Sequence, residues 1–232
     1  MSVQAYKIKA LMKKDVKDIR RNSSAVLMAT LSMFFTLLYR FLNLGGEQLP
    51  AEFVLSTGVL MNISMLPLSV IAMLIAEEKE KNTLRTLMLN NVSAGEFLIS
   101  KAAIVLLIAE VVNTLCYLFA QATIPFVTFL SVTVLACVCM LFFGATIGII
   151  SKNQMSTGVI TAPMTMLMLL PAILGMVDEG IASVARFTPT FSMLQLLFGQ
   201  GSAVFSLLMI IGWTAAAGVL FSVIYARKRL DS

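Results

Sequence analysis

The sequence predicts an all-α polytopic membrane protein, and three observations carry that expectation. Hydrophobic residues make up 59% of the chain and charged residues only 12%, about half the charge that soluble domains carry. Charge-poor windows of about 20 residues or more, the length needed to cross a hydrocarbon core of about 30 Å, recur along the chain. Apart from Arg40 and Glu110, the charge that remains is gathered into a basic N-terminal stretch, one island at Glu77–Lys101, short connecting segments and a basic C-terminal tail.

Taken in order, residues 4–21 place Ile8, Leu11, Met12, Val16 and Ile19 at helical spacing among Lys7, Lys9, Lys13, Lys14, Lys17, Arg20 and Arg21. That pattern predicts an amphipathic connecting helix lying in an anionic headgroup layer, with a solvated basic tail as the plainer alternative. Six spans follow at about 25–44, 53–76, 102–120, 124–149, 157–177 and 204–226, each close to the required length. They define one transmembrane domain over residues 1–232. The first apolar run begins near Ser24 and continues for a full span, which reads as a retained helix and not as a cleaved signal peptide.

Positive charge sets the orientation. With both termini in the cytoplasm, Lys79, Lys81, Arg85, Lys101, Lys152, Arg227, Lys228 and Arg229 join the seven N-terminal cations inside, and only Arg40 and Arg186 of the seventeen Lys and Arg residues fall outside. The outer loops carry Glu47, Glu52, Asp178 and Glu179 instead. The first outer loop and the connection around Gln121–Ile124 are too short for a soluble domain. Residues 180–202 are apolar but broken at Phe187-Thr188-Pro189-Thr190 and closed by Gly199-Gln200-Gly201, which predicts one or two short helices re-entering the outer leaflet. Between the fourth and fifth spans only Ser151–Ser156 is left, either a small docking contact through Asn153 or a plain turn.

Several chemistries lack the residues they need. There is no histidine, and Cys116, Cys137 and Cys139 all sit inside apolar spans, so neither a nitrogen and sulfur metal site nor a disulfide framework is expected. No catalytic constellation, resident cofactor or nucleic-acid footprint is predicted either.

The charged island has internal order. Glu77–Leu89 is rich in helix formers, with Leu84, Leu87 and Met88 on one face. Ser93-Ala94-Gly95-Glu96 fits a capping box, flanked by Val92 and Phe97 as a hydrophobic staple. A folded cytoplasmic hairpin that runs into the third span is therefore expected in preference to a loose linker. Within the third span, Glu110, Asn113, Thr114, Tyr117 and Gln121 fall at i, i+3, i+4, i+7 and i+11. An ionisable group at that depth must face protein or water. The stripe, together with Asn62 of the second span, reads either as the lining of a translocation path or as interhelical glue. Gly144-Ala145-Thr146-Ile147-Gly148 offers a small-xxx-small packing face. Pro67, Pro163 and Pro171 are expected to kink the second and fifth spans.

The island also carries a resemblance. Glu78-Lys79-Glu80, Thr83-Leu84, Leu87-Met88, Val92-Ser93, Glu96-Phe97-Leu98 and Ser100-Lys101 stand where the six-span permease subunits of ABC-type exporters, the type-2 drug, polysaccharide and lipid export class, carry their hairpin pattern. Asn82 replaces a usual glycine, and Asn90-Asn91 replaces a common Ser-Pro or Thr-Pro pair. The resemblance extends over the whole chain, including the outer segment with Phe187 and Pro189. It implies a non-enzymatic permease of the bacterial plasma membrane, paired with a second copy or paralogue and exporting a hydrophobic or amphipathic substrate. Two copies of a separate ABC ATPase, holding ATP and Mg, would dock on Glu78, Glu80, Thr83, Leu84, Leu87, Met88, Ser93, Glu96 and Asn153. The absence of a phosphate-binding Gly-x-x-x-x-Gly-Lys-Ser/Thr loop agrees with that division of labour. Two alternatives stand beside it: an ATP-independent transporter or ion-efflux protein using Glu110, and a non-transporting scaffold. A reporter domain fused after Gly46 is expected on the outer side of the membrane, and a cytoplasmic reporter would reverse the topology.

Overall fold

In lipid an apolar segment has to satisfy its own backbone, and helix is the way a single segment can do so. The computed structural model describes residues 23–44, 47–81 and 94–230. Its helices are α1 (Ser23–Phe41), α2 (Ala51–Glu80), α3 (Ala94–Ala120), α4 (Phe126–Ile150), α5 (Gln154–Gly175), α6 (Glu179–Ala185), α7 (Pro189–Phe198) and α8 (Ala203–Leu230). Among the described residues, six helices, α1 to α5 and α8, are long and apolar enough to cross a membrane. These correspond to the six predicted spans. A two-residue antiparallel ladder follows α1, β1 (Asn43–Leu44) with β2 (Glu47–Gln48), where Asn43 faces Gln48. The predicted N-terminal connecting helix and residues 82–93 lie outside the described residues.

Local signals explain where the helices start and stop. Pro50 and Pro125 immediately precede α2 and α4, because proline's fixed φ suits a helix start and its missing N–H costs nothing there. Asn153 and Ser156 form a reciprocal capping box at the start of α5. Thr188 caps α7 with Pro189 in its first turn, and Gly199 ends it in the left-handed conformation at φ 65°. The sequence break at Phe187–Thr190 and the glycine closure are thus both realised. Gln121, at φ 55°, terminates α3 in the same left-handed region without a glycine. The prolines 67, 163 and 171 lie inside α2 and α5, and both helices continue through them.

Contacts sort the bundle into two ends. At one, the last turn of α2 meets the beginning of α5 and the end of α4, and Glu78 meets Lys101 of α3. At the other, Tyr39 of α1 packs on Phe53 of α2, Arg40 donates to Gln121, and Phe187 stacks edge-on against Phe205 of α8. Successive spans therefore run antiparallel, with Glu78–Glu80 and the short helices α6 and α7 at opposite ends.

The core is built around α2. From Val54 to Ala76 nearly every residue of that helix is buried, whereas α1 and α8 expose Leu27, Phe34, Leu208, Ile211 and Val219. Helix α4 is the closest neighbour, and two glycines make the approach possible. A Cβ at Gly144 would run into the Leu68 carbonyl, and one at Gly148 would lie 2.7 Å from the Ala72 carbonyl oxygen. The predicted small-xxx-small face thus packs backbone to backbone on α2. Replacing Gly144 by Ala is expected to destabilise the purified protein by about 1–3 kcal/mol. Gly158→Ala, at a position with nothing within 4 Å, is expected to change it by no more than about 0.5 kcal/mol. Thermal unfolding in detergent compares the two, and equal effects would refute the close α2–α4 contact.

Candidate functional site

The end of α2 that carries Glu78-Lys79-Glu80 is the first functional candidate. A helix advances 100° per residue, so three consecutive side chains leave its axis in three directions, and here each reaches a different helix. Glu78 turns inward and receives the Lys101 ammonium of α3 at 3.1 Å, with the two side chains only 4% and 1% exposed. Lys79 donates to the carbonyls of Ile149 at 3.1 Å and Ser151 at 2.6 Å, at the C-terminus of α4. Glu80, which is exposed, accepts the Gln154 amide at 3.2 Å, at the N-terminus of α5. Cation at a helix C-terminus and anion at a helix N-terminus is the favourable arrangement for both macrodipoles. Lys81 pairs with Glu77 one turn back.

The second candidate lies at mid-bundle. Asn62 of α2 donates to the Ala109 carbonyl and to Asn113 Oδ1, both at 2.8 Å. Asn113 in turn donates to Glu110 Oε1 at 3.3 Å, and Thr133 of α4 donates to Glu110 Oε2 at 2.8 Å. Three helices are thereby joined through one carboxylate. Glu110 is half-buried while Asn62, Asn113 and Thr133 are fully buried. Asn62 Oδ1 is buried and has no hydrogen-bond partner among the described residues.

At the opposite end, α6 and α7 are pinned to the spans. Thr190 donates to the Met168 carbonyl of α5 at 2.5 Å, and Trp213 of α8 donates to the Phe187 carbonyl at 2.7 Å. The Arg186 guanidinium sits 5.2 and 5.7 Å from the Phe187 and Phe205 ring centroids. A cavity of about 260 Å³ opens between α2, α5 and α7, with Glu52 and Gln200 beside Phe53, Phe191 and Phe198.

The sequence matches the family of ABC-2 family transporter proteins over residues 7–227, which is nearly the whole chain. The chain belongs to the ABC-2 transporter family. It is accordingly a multi-pass membrane protein and the membrane subunit of an ABC transporter, of the permease kind. ABC-2 permeases are partners of an ABC ATPase subunit. No curated protein matches the chain.

Within this ABC-2 subunit the expected site residues divide. Asn62, Glu110 and Asn113 do come together. Thr114 instead bonds its own helix at the Glu110 carbonyl, Tyr117 closes the turn at the Ile124 carbonyl, and Gln121 is exposed at the bundle end, so the five-residue stripe is not one continuous polar face. Phe187 and Pro189 occupy the joint between α6 and α7. Asn153 spends its side chain on capping α5.

The largest departure concerns Glu78, expected on a docking surface and found buried against Lys101. The reason is that α2 does not stop at residue 76: it continues to Glu80, and its last turn faces three neighbours. Thr83, Leu84, Leu87, Met88 and Ser93 lie outside the described residues. Helix α3 begins at Ala94 and includes Glu96.

Lys79, Lys101 and Thr133 were not singled out as site residues. For the ion pair the available signal was charge complementarity across the hairpin, since Glu77 and Glu78 follow the second span and Lys101 precedes the third. Removing one member of a buried pair strands the other charge, at a cost of about 3–5 kcal/mol. Lys101→Met is therefore expected to lower the midpoint of thermal unfolding sharply, and the double variant Glu78→Leu/Lys101→Met to recover most of the loss. A double variant as unstable as the single one would show that the pair is not what the single substitution disrupts.

Proposed function

We propose that the chain is the membrane-spanning half of an ATP-driven exporter for a hydrophobic or amphipathic substrate, working as a dimer with a second copy or paralogue. It sits in the bacterial plasma membrane with both termini cytoplasmic, and two ABC ATPase subunits seat on the segment around residues 82–93. The family match over residues 7–227 carries this reading. The described structure adds mechanical support. Helix α2 has 30 residues and so extends about 45 Å, well beyond a hydrocarbon core of about 30 Å. The apolar part of α3 starts only at Lys101, leaving 94–100 as a helical extension on the same side. Residues 82–93 are thus carried between two helices that reach past the apolar layer, where a soluble motor can meet them.

On this reading Leu84, Leu87 and Met88 provide the apolar grip, Thr83, Ser93 and Glu96 shape the hairpin, and Asn153 fixes the neighbouring start of α5. Glu110 faces the path with its exposed side while Asn113 and Thr133 hold its two oxygens. That combination suits a carboxylate that must remain at mid-membrane without facing lipid. The cavity beside Glu52, Gln200 and three phenylalanines suits the outer side of a route taken by amphipathic molecules.

The test is co-purification with an ABC ATPase subunit expressed from the same host. Leu84→Asp/Leu87→Asp is expected to reduce recovery of the ATPase at least tenfold while leaving the permease folded, and Glu110→Gln to leave recovery unchanged but reduce substrate-stimulated ATP hydrolysis. Full recovery with the double aspartate variant would remove the hairpin as the docking element.

A further inference from the structure

We propose that Glu78, Lys79 and Glu80 are positioning residues that tie the adjoining ends of α3, α4 and α5 to the end of α2. A displacement delivered through residues 82–93 is thereby handed to all three helices at once. The inference rests on the coupling role proposed above, and goes beyond it by assigning the distribution of movement to three named side chains, none of which touches the partner in that role.

The argument is geometric. A push on a hairpin reaches the two helices covalently joined to it, here α2 and α3. Nothing covalent carries it directly to the joined ends of α4 and α5, Ile150 and Gln154, which are reached only through the whole of α3 and α4. Lys79 and Glu80 supply that link, one to the end of α4 and the other to the start of α5. Both receiving ends are stiff at the point of contact. Ser151 is bonded to the Ile147 carbonyl through its amide at 2.9 Å and its hydroxyl at 2.7 Å. The Ser156 hydroxyl receives the amides of Lys152 and Asn153, while Asn153 Oδ1 accepts the Ser156 amide at 2.9 Å. A connection of three residues, Ser151 to Asn153, therefore behaves as a braced corner held on both sides by α2. Glu78 and Lys101 lock the remaining helix, α3, to the same turn. The upstream body is rigid as well, since α2 is packed on every side by α1, α3, α4 and α5.

Hydrogen–deuterium exchange of the permease–ATPase complex in lipid nanodiscs tests this, comparing the nucleotide-free state with the ATP–vanadate-trapped state. In the unmodified complex, exchange is expected to change together in segments 98–104, 146–151 and 154–158. Lys79→Met is expected to remove the response at 146–151 and keep the one at 98–104, and Lys79→Arg to restore it. Glu80→Ala, at an exposed position that folding tolerates, is expected to speed exchange of the Gln154 amide by about tenfold, the factor carried by one charge-assisted hydrogen bond, and to remove the response at 154–158. If the unmodified complex responds in all three segments and neither variant alters the pattern, the three side chains do not distribute the movement and this inference falls while coupling stands. If trapping changes none of the segments in the unmodified complex, the coupling reading itself fails.

Discussion

The bundle depends on α2 being covered on all sides. In lipid there is no hydrophobic gain from bringing apolar helices together, because the acyl chains are as apolar as leucine, so association rests on close van der Waals packing and on hydrogen bonds between helices. Both are concentrated on α2. Gly144 and Gly148 let α4 approach to backbone contact at Leu68 and Ala72, and Gly58 makes room for the Thr36 side chain of α1. Asn62 supplies the polar tie to α3 at mid-membrane. With α2 fixed in this way, the exposed apolar faces of α1 and α8 are left for lipid or for another membrane-embedded surface, and no buried helix has to be assembled last.

The polar groups inside the bundle fall into two kinds, and the difference is one of reach. Serine and threonine hydroxyls at Ser32, Thr36, Thr57, Thr114 and Thr146 bond back to carbonyls three or four residues earlier. Those bonds close within one helix, whereas the Thr165 and Thr190 hydroxyls reach the Ser64 and Met168 carbonyls of neighbouring helices. Asn62, Asn113 and Glu110 are longer and cannot close so short a ring as easily, so they bond across to neighbours, and Thr133 is recruited to the carboxylate. Glutamate at this depth is tolerated because both its oxygens have donors. The same contacts that make it tolerable also join α2, α3 and α4, so a path-lining role and a bracing role are properties of one arrangement and do not exclude each other.

The sequence carried the six spans because length and hydropathy are one-dimensional quantities that lipid thickness imposes directly. It also carried the joint at Phe187–Pro189 and the glycine stop at Gly199, whose backbone requirements are local. It failed where partners are distant in sequence. Glu78 read as a solvated charge because composition gives a residue's polarity but not the direction in which it leaves the helix. Its partner Lys101 is 23 residues away across a hairpin. Thr133 carried no signal at all, since a threonine in an apolar span is ordinary until a carboxylate faces it. Of the stripe projected on α3, Gln121 lies past the end of the helix at φ 55°, and Thr114 and Tyr117 bond elsewhere, because a common face does not compel a common partner.

The three contacts at the end of α2 differ in strength, and that difference bears on how the end can move. The Glu78–Lys101 pair is buried, and separating two buried opposite charges carries a large desolvation cost, so of the three contacts it is the hardest to break. Lys79 and Glu80 act on helix termini, where a charge contributes about 0.3–1 kcal/mol when exposed and up to about 2 kcal/mol when partly buried. Interactions of that size hold a geometry at rest and release within a few RT. At the end of α2 the ends of α4 and α5 are thus held by weaker polar contacts than the end of α3, while further along the close packing of Gly144 and Gly148 keeps α4 against α2. The corner between α4 and α5 is where such a release would act first, because Lys79 holds one side of it and Glu80 the other.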